Sequence, residues 1–188
     1  MQNTIIYLIG HQGVGKLTIG KQICHQTGAM LIDNHLIANP IFAAIANDPI
    51  GSIPEAIKEK IAGIRSLVFS AIVEDAPADL SYVLTDVLLN DASGRRRFSD
   101  VEGLVASRRA RFLPVMLRCD DDQEYERRVS DPSRSALMKQ TDLARSLKRR
   151  AERPLLAISH RDRLDLDVAP VSPEEAATLI VKAALTPR

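Results

Sequence analysis

Aromatic residues are scarce in this chain of 188 residues: they make up 4% of the sequence, and tryptophan is absent. Proteins that bind single-stranded nucleic acid without sequence preference stack the bases on aromatic side chains, and this composition offers few such platforms. An excess of charge of one sign is also lacking, because 25 lysines and arginines against 24 acidic residues leave a formal net charge of +1. We therefore expect neither a long nucleic acid nor an anionic membrane as a partner.

Cysteines and long apolar runs are few as well. The two cysteines, Cys24 and Cys119, do not have the spacing of a metal site, so we expect reduced, packed thiols. The apolar run Ile5–Ile9 ends at a glycine-rich loop and is too short for a signal peptide or a membrane span. These features predict a cytoplasmic protein, and we expect it to be a monomer or a homodimer.

The length and the 45% hydrophobic content fit one α/β domain, residues 1–188. Apolar runs alternate with helical patterns, which predicts a five-stranded parallel sheet with helices on both faces. The predicted strands are Ile5–Ile9, Ala29–Ile32, Ser81–Thr85, Arg111–Leu117 and Leu164–Val168. The predicted helices are Lys16–Thr27, Pro54–Glu74, Ser99–Ala110, Asp120–Val129, one capped by Thr141 that ends at Arg150, and one opened by the capping box Ser172–Glu175.

A glycine-rich loop follows the first strand and ends in Lys16. Glycines suit such a loop because a side chain would block the backbone N–H groups that surround phosphate oxygens. Lys16 adds a positive charge for the outer phosphates, and the helix that begins there directs its dipole at the same anion. The pattern predicts a phosphate-binding P-loop, or Walker A motif. The expected nucleotide contacts are Gly10, His11, Gln12, Gly13, Val14, Gly15, Lys16, Leu17 and Thr18.

One position departs from the common form of this motif. The residue after the lysine is usually Ser or Thr, whose hydroxyl contacts Mg²⁺, but here it is Leu17, followed by Thr18. Asp86 directly follows the predicted strand Ser81–Thr85, as a Walker B carboxylate does. We expect Thr18 and Asp86 to organise Mg²⁺, partly through water, although an acid at a strand end is also common in turns.

The loop Gly10-x-x-Gly13-x-Gly15-Lys16 resembles that of shikimate and gluconate kinases, and the order Lys16-Leu17-Thr18 is similar to the Gly-Lys-Gly-Thr of adenylate kinases. The chain as a whole resembles this group of small P-loop kinases in the order of its elements. The resemblance implies a three-layer P-loop NTPase fold with strand order 2-3-1-4-5 and a short lid at about residues 128–141. It also implies ATP and Mg²⁺ as cofactors, and transfer of the γ-phosphate to a hydroxyl of a shikimate- or gluconate-like small molecule.

Asp33 follows the second strand, at the sheet edge where open α/β sheets bind ligands. The resemblance gives Asp33 a catalytic role, in which it orients the acceptor hydroxyl and accepts its proton. The other interpretation of Asp33 is an N-cap of the next helix, and the two are compatible. For His35 we expect a half-buried side chain rather than a ligand.

Nine basic residues lie within residues 127–153. Small P-loop kinases place a mobile lid here, whose arginines meet the charge of the transferring phosphoryl group. The resemblance makes Arg128, Arg134 and Lys139 the candidates, with Arg134 in a catalytic role and the other two as nucleotide contacts. Residues 148–150 fit a solvated helix C-terminus instead.

Two further stretches have expected places in the site. Pro170, after the last strand, lies where such kinases pack adenine. Arg95–Arg97 fits a solvated helix face, or a contact with an anionic acceptor group. Two other functions stay open: a kinase whose acceptor is a nucleoside, a nucleotide or an RNA 5′-hydroxyl, and a non-catalytic ATP-binding switch.

Overall fold

The computed structural model describes residues 1–45, 53–131 and 142–186. In this part of the chain the strands are β1 Thr4–Ile9, β2 Met30–Ile32, β3 Tyr82–Asp86, β4 Arg111–Arg118 and β5 Leu164–Asp167. The helices are α1 Lys16–Thr27, α2 Asn34–Ala44, α3 Glu55–Glu74, α4 Ala92–Arg108, α5 Asp122–Val129, α6 Leu143–Glu152 and α7 Pro173–Leu185. The strands form one parallel sheet in the order β2-β3-β1-β4-β5, which confirms the predicted order.

β1 lies at the centre of the sheet, and all six of its residues are buried. A parallel strand covered by helices on both faces needs apolar side chains on both, which explains the unbroken apolar run. Ile6 and Leu8 pack on one face with residues of α1 and α7, whereas Tyr7 and Ile9 pack on the other with residues of α3 and α4. The sheet thus forms the middle of three layers, as predicted.

Local signals place the ends of two helices as predicted. α1 ends at Gly28, which has a φ of 72° and donates its N–H to the carbonyl of Cys24 at 2.8 Å. The capping box of α7 has both of its hydrogen bonds, between Ser172 and Glu175.

Both cysteines are free thiols, and burial raises the pKa of Cys24 to about 11.

The start of α4 was predicted incorrectly. This helix begins at Ala92 rather than at Ser99, because the side chain of Asp91 caps it by accepting from the N–H of Gly94 at 2.8 Å. A Cβ at Gly94 would lie 1.9 Å from the carbonyl oxygen of Leu89, so glycine is required there by a close approach and does not mark a turn. The longer helix carries Arg97 to the end of β3.

Two other helices differ from expectation. No range was predicted for α2, although the N-cap interpretation of Asp33 implies a helix after it; the helix contains Pro40. α6 is capped by Asp142, whose side chain accepts from the N–H of Arg145 at 3.0 Å, whereas the predicted cap Thr141 lies outside the described residues.

Among the described residues, no helix combines the length and the apolar character that crossing a membrane requires.

Candidate active site

The loop between β1 and α1 has the backbone of a phosphate cradle. Gly13 and Gly15 have φ values of 87° and 89°, in the left-handed region that residues with a Cβ rarely adopt. A Cβ at Gly10 would lie 2.6 Å from the carbonyl oxygen of Leu117. The fold therefore requires glycine at all three positions, and backbone N–H groups near the start of α1 can approach an anion closely.

Lys16 begins α1, and its Nζ donates to the carbonyl oxygens of Gly10 and His11, at 2.7 Å each. The ammonium group thus contacts the loop that is expected to bind the phosphates. Burial, followed by the charges of Lys16, Arg150 and Arg149, lowers the pKa of His11 to about 4. His11 is therefore neutral at pH 7, and cationic groups from two helices surround this loop.

Arg128, on α5, connects the loop to the last strand. Its guanidinium donates to the carbonyl of Val14 at 3.4 Å, to that of Val168 at 2.8 Å and to Glu124 at 2.6 Å. Hydrogen bonds from Arg127 and Arg128 lower the pKa of Glu124 to about 2. The structure therefore brings Arg128 to the P-loop, while Pro170 is exposed in the turn between β5 and α7.

The sequence suggests that the basic residues 148–150, near the end of α6, are all solvated, but this holds for only one of the three. Lys148 is 72% exposed, but Arg149 and Arg150 are partly buried. The guanidinium of Arg150 donates to the carbonyl of Cys119 at 3.0 Å and lies 4.7 Å from the ring centroid of Tyr125. Which face of this helix turns towards the sheet depends on tertiary packing, which the run of basic residues does not reveal.

Arg149, on the same helix, is half-buried among other arginines. Its burial, followed by the charges of Arg153, Arg145 and Arg97, lowers its pKa, although it remains a cation at pH 7. Its charge also helps to lower the pKa of His11, so Arg149 lies near the P-loop. A half-buried cation among like charges is stabilised when an anion binds beside it.

Asp33 lies between β2 and α2 and is 6% exposed. It occupies the N-cap position of α2, but its side chain makes no capping hydrogen bond. Instead its Oδ1 accepts from the hydroxyl of Thr85 at 2.5 Å, and that hydroxyl accepts from the N–H of Asn34 at 3.1 Å. Thr85, which the sequence did not single out, thus orients Asp33. His35 is half-buried, as expected, with its Nδ1 3.4 Å from the side chain of Asn39.

Asp86 ends β3 and is 2% exposed. Its Oδ2 accepts from the hydroxyl of Tyr7 at 3.0 Å and pairs with Arg65 at 3.2 Å. Its Oδ1 pairs with Arg97 at 2.5 Å and accepts from the N–H of Val87 at 2.7 Å. Burial, followed by the charge of Asp86, raises the pKa of Tyr7, so the phenol stays protonated and donates.

Asp86 is poorly suited to bind Mg²⁺, because both of its carboxylate oxygens already accept hydrogen bonds from arginines and other donors. Thr18 is exposed on α1. The described ranges contain no group of three or more His, Cys, Asp or Glu side chains that could hold a metal ion. A metal role for Thr18 and Asp86 stays a prediction.

Arg65, from α3, is the site residue that sequence reasoning missed most clearly. Its guanidinium is buried, and it also donates to the side chain of Asn34 at 2.8 Å. The signal was available, because Arg65 lies at helical spacing from Ile61 and Ile72, on the face that turns inward. A buried charge on such a face indicates a specific partner.

Of the arginines Arg95–Arg97, the first two are exposed, and only Arg97 turns towards the sheet. The expectation of a solvated face is thus correct for two of the three. Arg134 and Lys139 lie in residues 132–141, outside the described part of the chain, and their roles stay predictions.

Several solved structures share this architecture. A gluconokinase from Sinorhizobium meliloti 1021 is 15% identical, with a TM-score of 0.61 over 97% of this chain and 91% of that one. A sugar kinase from Janibacter sp. HTCC2649 is 16% identical, with a TM-score of 0.62 over 96% and 93%. The APS kinase CysC of Mycobacterium tuberculosis, solved with AMPPNP and APS, is 16% identical, with a TM-score of 0.61 over 98% and 99%.

The chain has the fold of the small P-loop kinases. No protein-family model matches the sequence, and no curated protein matches it either. At these identities the similarity shows the fold alone.

Proposed function

We propose that this protein is an ATP-dependent kinase that transfers the γ-phosphate of ATP to a hydroxyl of a small molecule. The observation that carries the proposal is the pairing of two sites at one edge of the sheet. The P-loop with Lys16 follows β1, and the oriented carboxylate of Asp33 follows β2, one strand beyond β3. A phosphate cradle beside a buried, oriented acid is what phosphoryl transfer to an alcohol requires.

The donor side would hold the triphosphate through backbone N–H groups of the loop and through cations. Lys16 would meet the outer phosphates, and Arg128 would lie beside the loop near the β5–α7 turn, where adenine would pack at Pro170. Arg149 would add a partly buried cation near the loop. Such fixed cations stabilise the charge that develops on the transferring group. ATP with Mg²⁺ would be the cofactor.

On the acceptor side, Asp33 would align the hydroxyl and accept its proton as the bond to phosphorus forms. Thr85 fixes one carboxylate oxygen of Asp33, which favours a single orientation of the other. Shikimate- and gluconate-like compounds are the acceptors that the sequence resemblance suggests, and they belong in the first panel.

The test is ADP release measured with a panel of sugars, sugar acids, shikimate, neutral alcohols and nucleosides. With an active acceptor, Asp33→Asn should lower kcat by about 10²–10⁴-fold, because the variant keeps the shape but loses the base. Its affinity for ATP should be unchanged. Asp79→Asn, an exposed acid in the α3–β3 loop, is the matched control and should behave as the wild type.

The outcomes separate the candidate functions. Full activity of Asp33→Asn would remove this residue from catalysis. ATP binding without ADP release above background for any acceptor would favour the non-catalytic switch. Activity confined to the nucleosides of the panel would assign the acceptor to that class without changing the proposed site.

A further inference from the structure

We infer that Asp86 positions residues on the acceptor side of the site and is not a ligand of Mg²⁺. It pairs with Arg65, which in turn holds the side chain of Asn34, the residue directly after the proposed base Asp33. This role departs from the metal role that the sequence predicts for Asp86. The positioning of Asp33 rests on the proposed kinase function, whereas the exclusion of Mg²⁺ from Asp86 does not.

The carboxylate of Asp86 already accepts as many hydrogen bonds as it can. A carboxylate offers about four acceptor sites, two on each oxygen. Oδ2 accepts from the hydroxyl of Tyr7 at 3.0 Å and from Arg65 at 3.2 Å. Oδ1 accepts from Arg97 at 2.5 Å and from the N–H of Val87 at 2.7 Å. Donors from the described part of the chain thus fill these sites and leave none for a metal ion or for a metal-bound water.

The surroundings of Asp86 also disfavour a divalent cation. Mg²⁺ requires octahedral coordination by oxygen and usually keeps several waters, but Asp86 is 2% exposed and the cavity that it lines has room for about one water. Arg65 and Arg97 contact the carboxylate, and Arg149 is a third cation, close enough for its charge to interact with that of Arg97. A metal ion that displaced Arg65 would leave this arginine buried without its counter-ion, which is strongly unfavourable.

Arg65 connects Asp86 to the proposed base. One nitrogen of its guanidinium donates to Asp86, and the other donates to the side-chain oxygen of Asn34 at 2.8 Å. Asn34 begins α2, and its N–H donates to the hydroxyl of Thr85, which itself donates to Asp33. Loss of the pair between Asp86 and Arg65 would therefore loosen the start of α2, where Asp33 lies. A small misplacement of a catalytic group lowers kcat strongly.

The first test asks whether Asp86 takes part in metal binding. Calorimetry would give the affinity of the full chain for ATP with Mg²⁺ and with EDTA, in the wild type and in Asp86→Asn. The ratio of the two affinities should agree between the proteins within about twofold, because the effects of independent sites add. Loss of a metal ligand, or of a carboxylate that holds a metal-bound water, would lower the ratio by about tenfold or more and would overturn the inference.

The midpoint of thermal unfolding, measured in EDTA, tests the same residue without a nucleotide. Asp86→Asn should lower the midpoint by about 6–20 °C, because two arginines lose their counter-ion. The control is Asp165→Asn, which removes an acid from the surface pair with Arg163 and should leave the midpoint unchanged. An unchanged midpoint in Asp86→Asn would contradict the pairing role.

The positioning role is tested on Asn34→Ala, which keeps the partners of Asp86 and remains informative if Asp86→Asn does not fold. Asn39→Ala makes the same change on the same helix, beside His35, and is the matched control. With the best acceptor of the panel, kcat of Asn34→Ala should fall by about 10–100-fold while KM for ATP stays constant, and Asn39→Ala should match the wild type. A wild-type kcat in Asn34→Ala would refute the positioning role.

Hydrogen exchange gives a readout of positioning that needs no acceptor. The N–H groups at the start of α2 should exchange at least about tenfold faster in Asn34→Ala, while those of α7 keep their wild-type rates. Equal rates at the start of α2 in Asn34→Ala and the wild type would contradict the positioning role. These results in a protein that releases no ADP with any acceptor would refute the kinase proposal and leave the assignment of Asp86 intact.

Discussion

Thr85 is the residue whose replacement tests the proposed mechanism most directly. Its hydroxyl donates to Asp33 at 2.5 Å and accepts from the N–H of Asn34 at 3.1 Å. Thr85→Val keeps nearly the same volume but removes both hydrogen bonds, because a methyl group replaces the hydroxyl. Thr85→Ser keeps the hydroxyl and loses one methyl group. The two variants therefore separate the orientation of Asp33 from the packing of this strand.

The expected magnitudes follow from the burial of the partners. A hydrogen bond to a charged group contributes about 1.5–3 kcal/mol, and Asp33 is 6% exposed, so most of that range applies. The N–H of Asn34 loses its acceptor as well, but at a half-buried residue where water compensates in part. We expect Thr85→Val to lower the free energy of unfolding by about 2–4 kcal/mol. Thr85→Ser should cost about 1 kcal/mol, the value of a buried methyl group.

The effect on catalysis should be separate from the effect on stability. A misplacement of about 1 Å can cost about 10²-fold, so kcat of Thr85→Val with the best acceptor should fall by about 10–100-fold. KM for ATP should not change, because under the proposed function the phosphates would bind at the loop between β1 and α1. Thr85→Ser should restore kcat to near the wild-type value.

Three measurements on each variant are needed: ADP release at saturating acceptor, calorimetric affinity for ATP, and the midpoint of thermal unfolding. A Thr85→Val enzyme with a lowered midpoint and a wild-type kcat would refute the orienting role. It would leave Thr85 as a structural hydrogen-bond donor only.

Three further variants probe the donor side. Lys16→Ala should lose most of its ATP affinity while remaining folded, since Lys16 contacts loop carbonyls rather than the core, and unchanged affinity by calorimetry would contradict the P-loop assignment. Arg149→Ala should lower kcat by about 10-fold or more if this cation meets the transferring phosphate, whereas the exposed neighbour Lys148→Ala should not; equal effects in ADP release would remove Arg149 from the site. The pKa of His11 is about 4 in the folded protein, below its unfolded value of ~6.5. The folded state therefore disfavours protonation of His11, and the free energy of unfolding, which is highest above pH ~6.5, falls as the pH drops towards 4. Chemical denaturation should show the wild type losing about 1 kcal/mol more than His11→Gln between pH 7 and pH 5, after allowance for its partial exposure, and equal losses would show that His11 does not carry this dependence.

The sequence alone determined the elements whose causes are local. The glycine spacing of the P-loop, the apolar run of β1 and the stop of α1 at Gly28 depend on backbone conformation and on burial period within a few residues. The capping box before α7 is local in the same sense. The strand order came from the resemblance that these elements supported, and the sheet confirms it.

The tertiary structure decided which side chains meet at the carboxyl ends of the strands. Asp86 followed a strand, as a metal ligand would, yet its partners are Arg65, 21 residues earlier, and Arg97, 11 residues later. The hydroxyl of Thr85 donates to the carboxylate of Asp33, which lies 52 residues earlier in the sequence. No periodicity within one element encodes such pairs, because they depend on the order of neighbouring strands and on the face that each helix turns inward. The sequence thus predicts the glycine-rich loop after β1, whereas the packing of α3 and α4 on β3 decides which charged side chains meet at the end of β3.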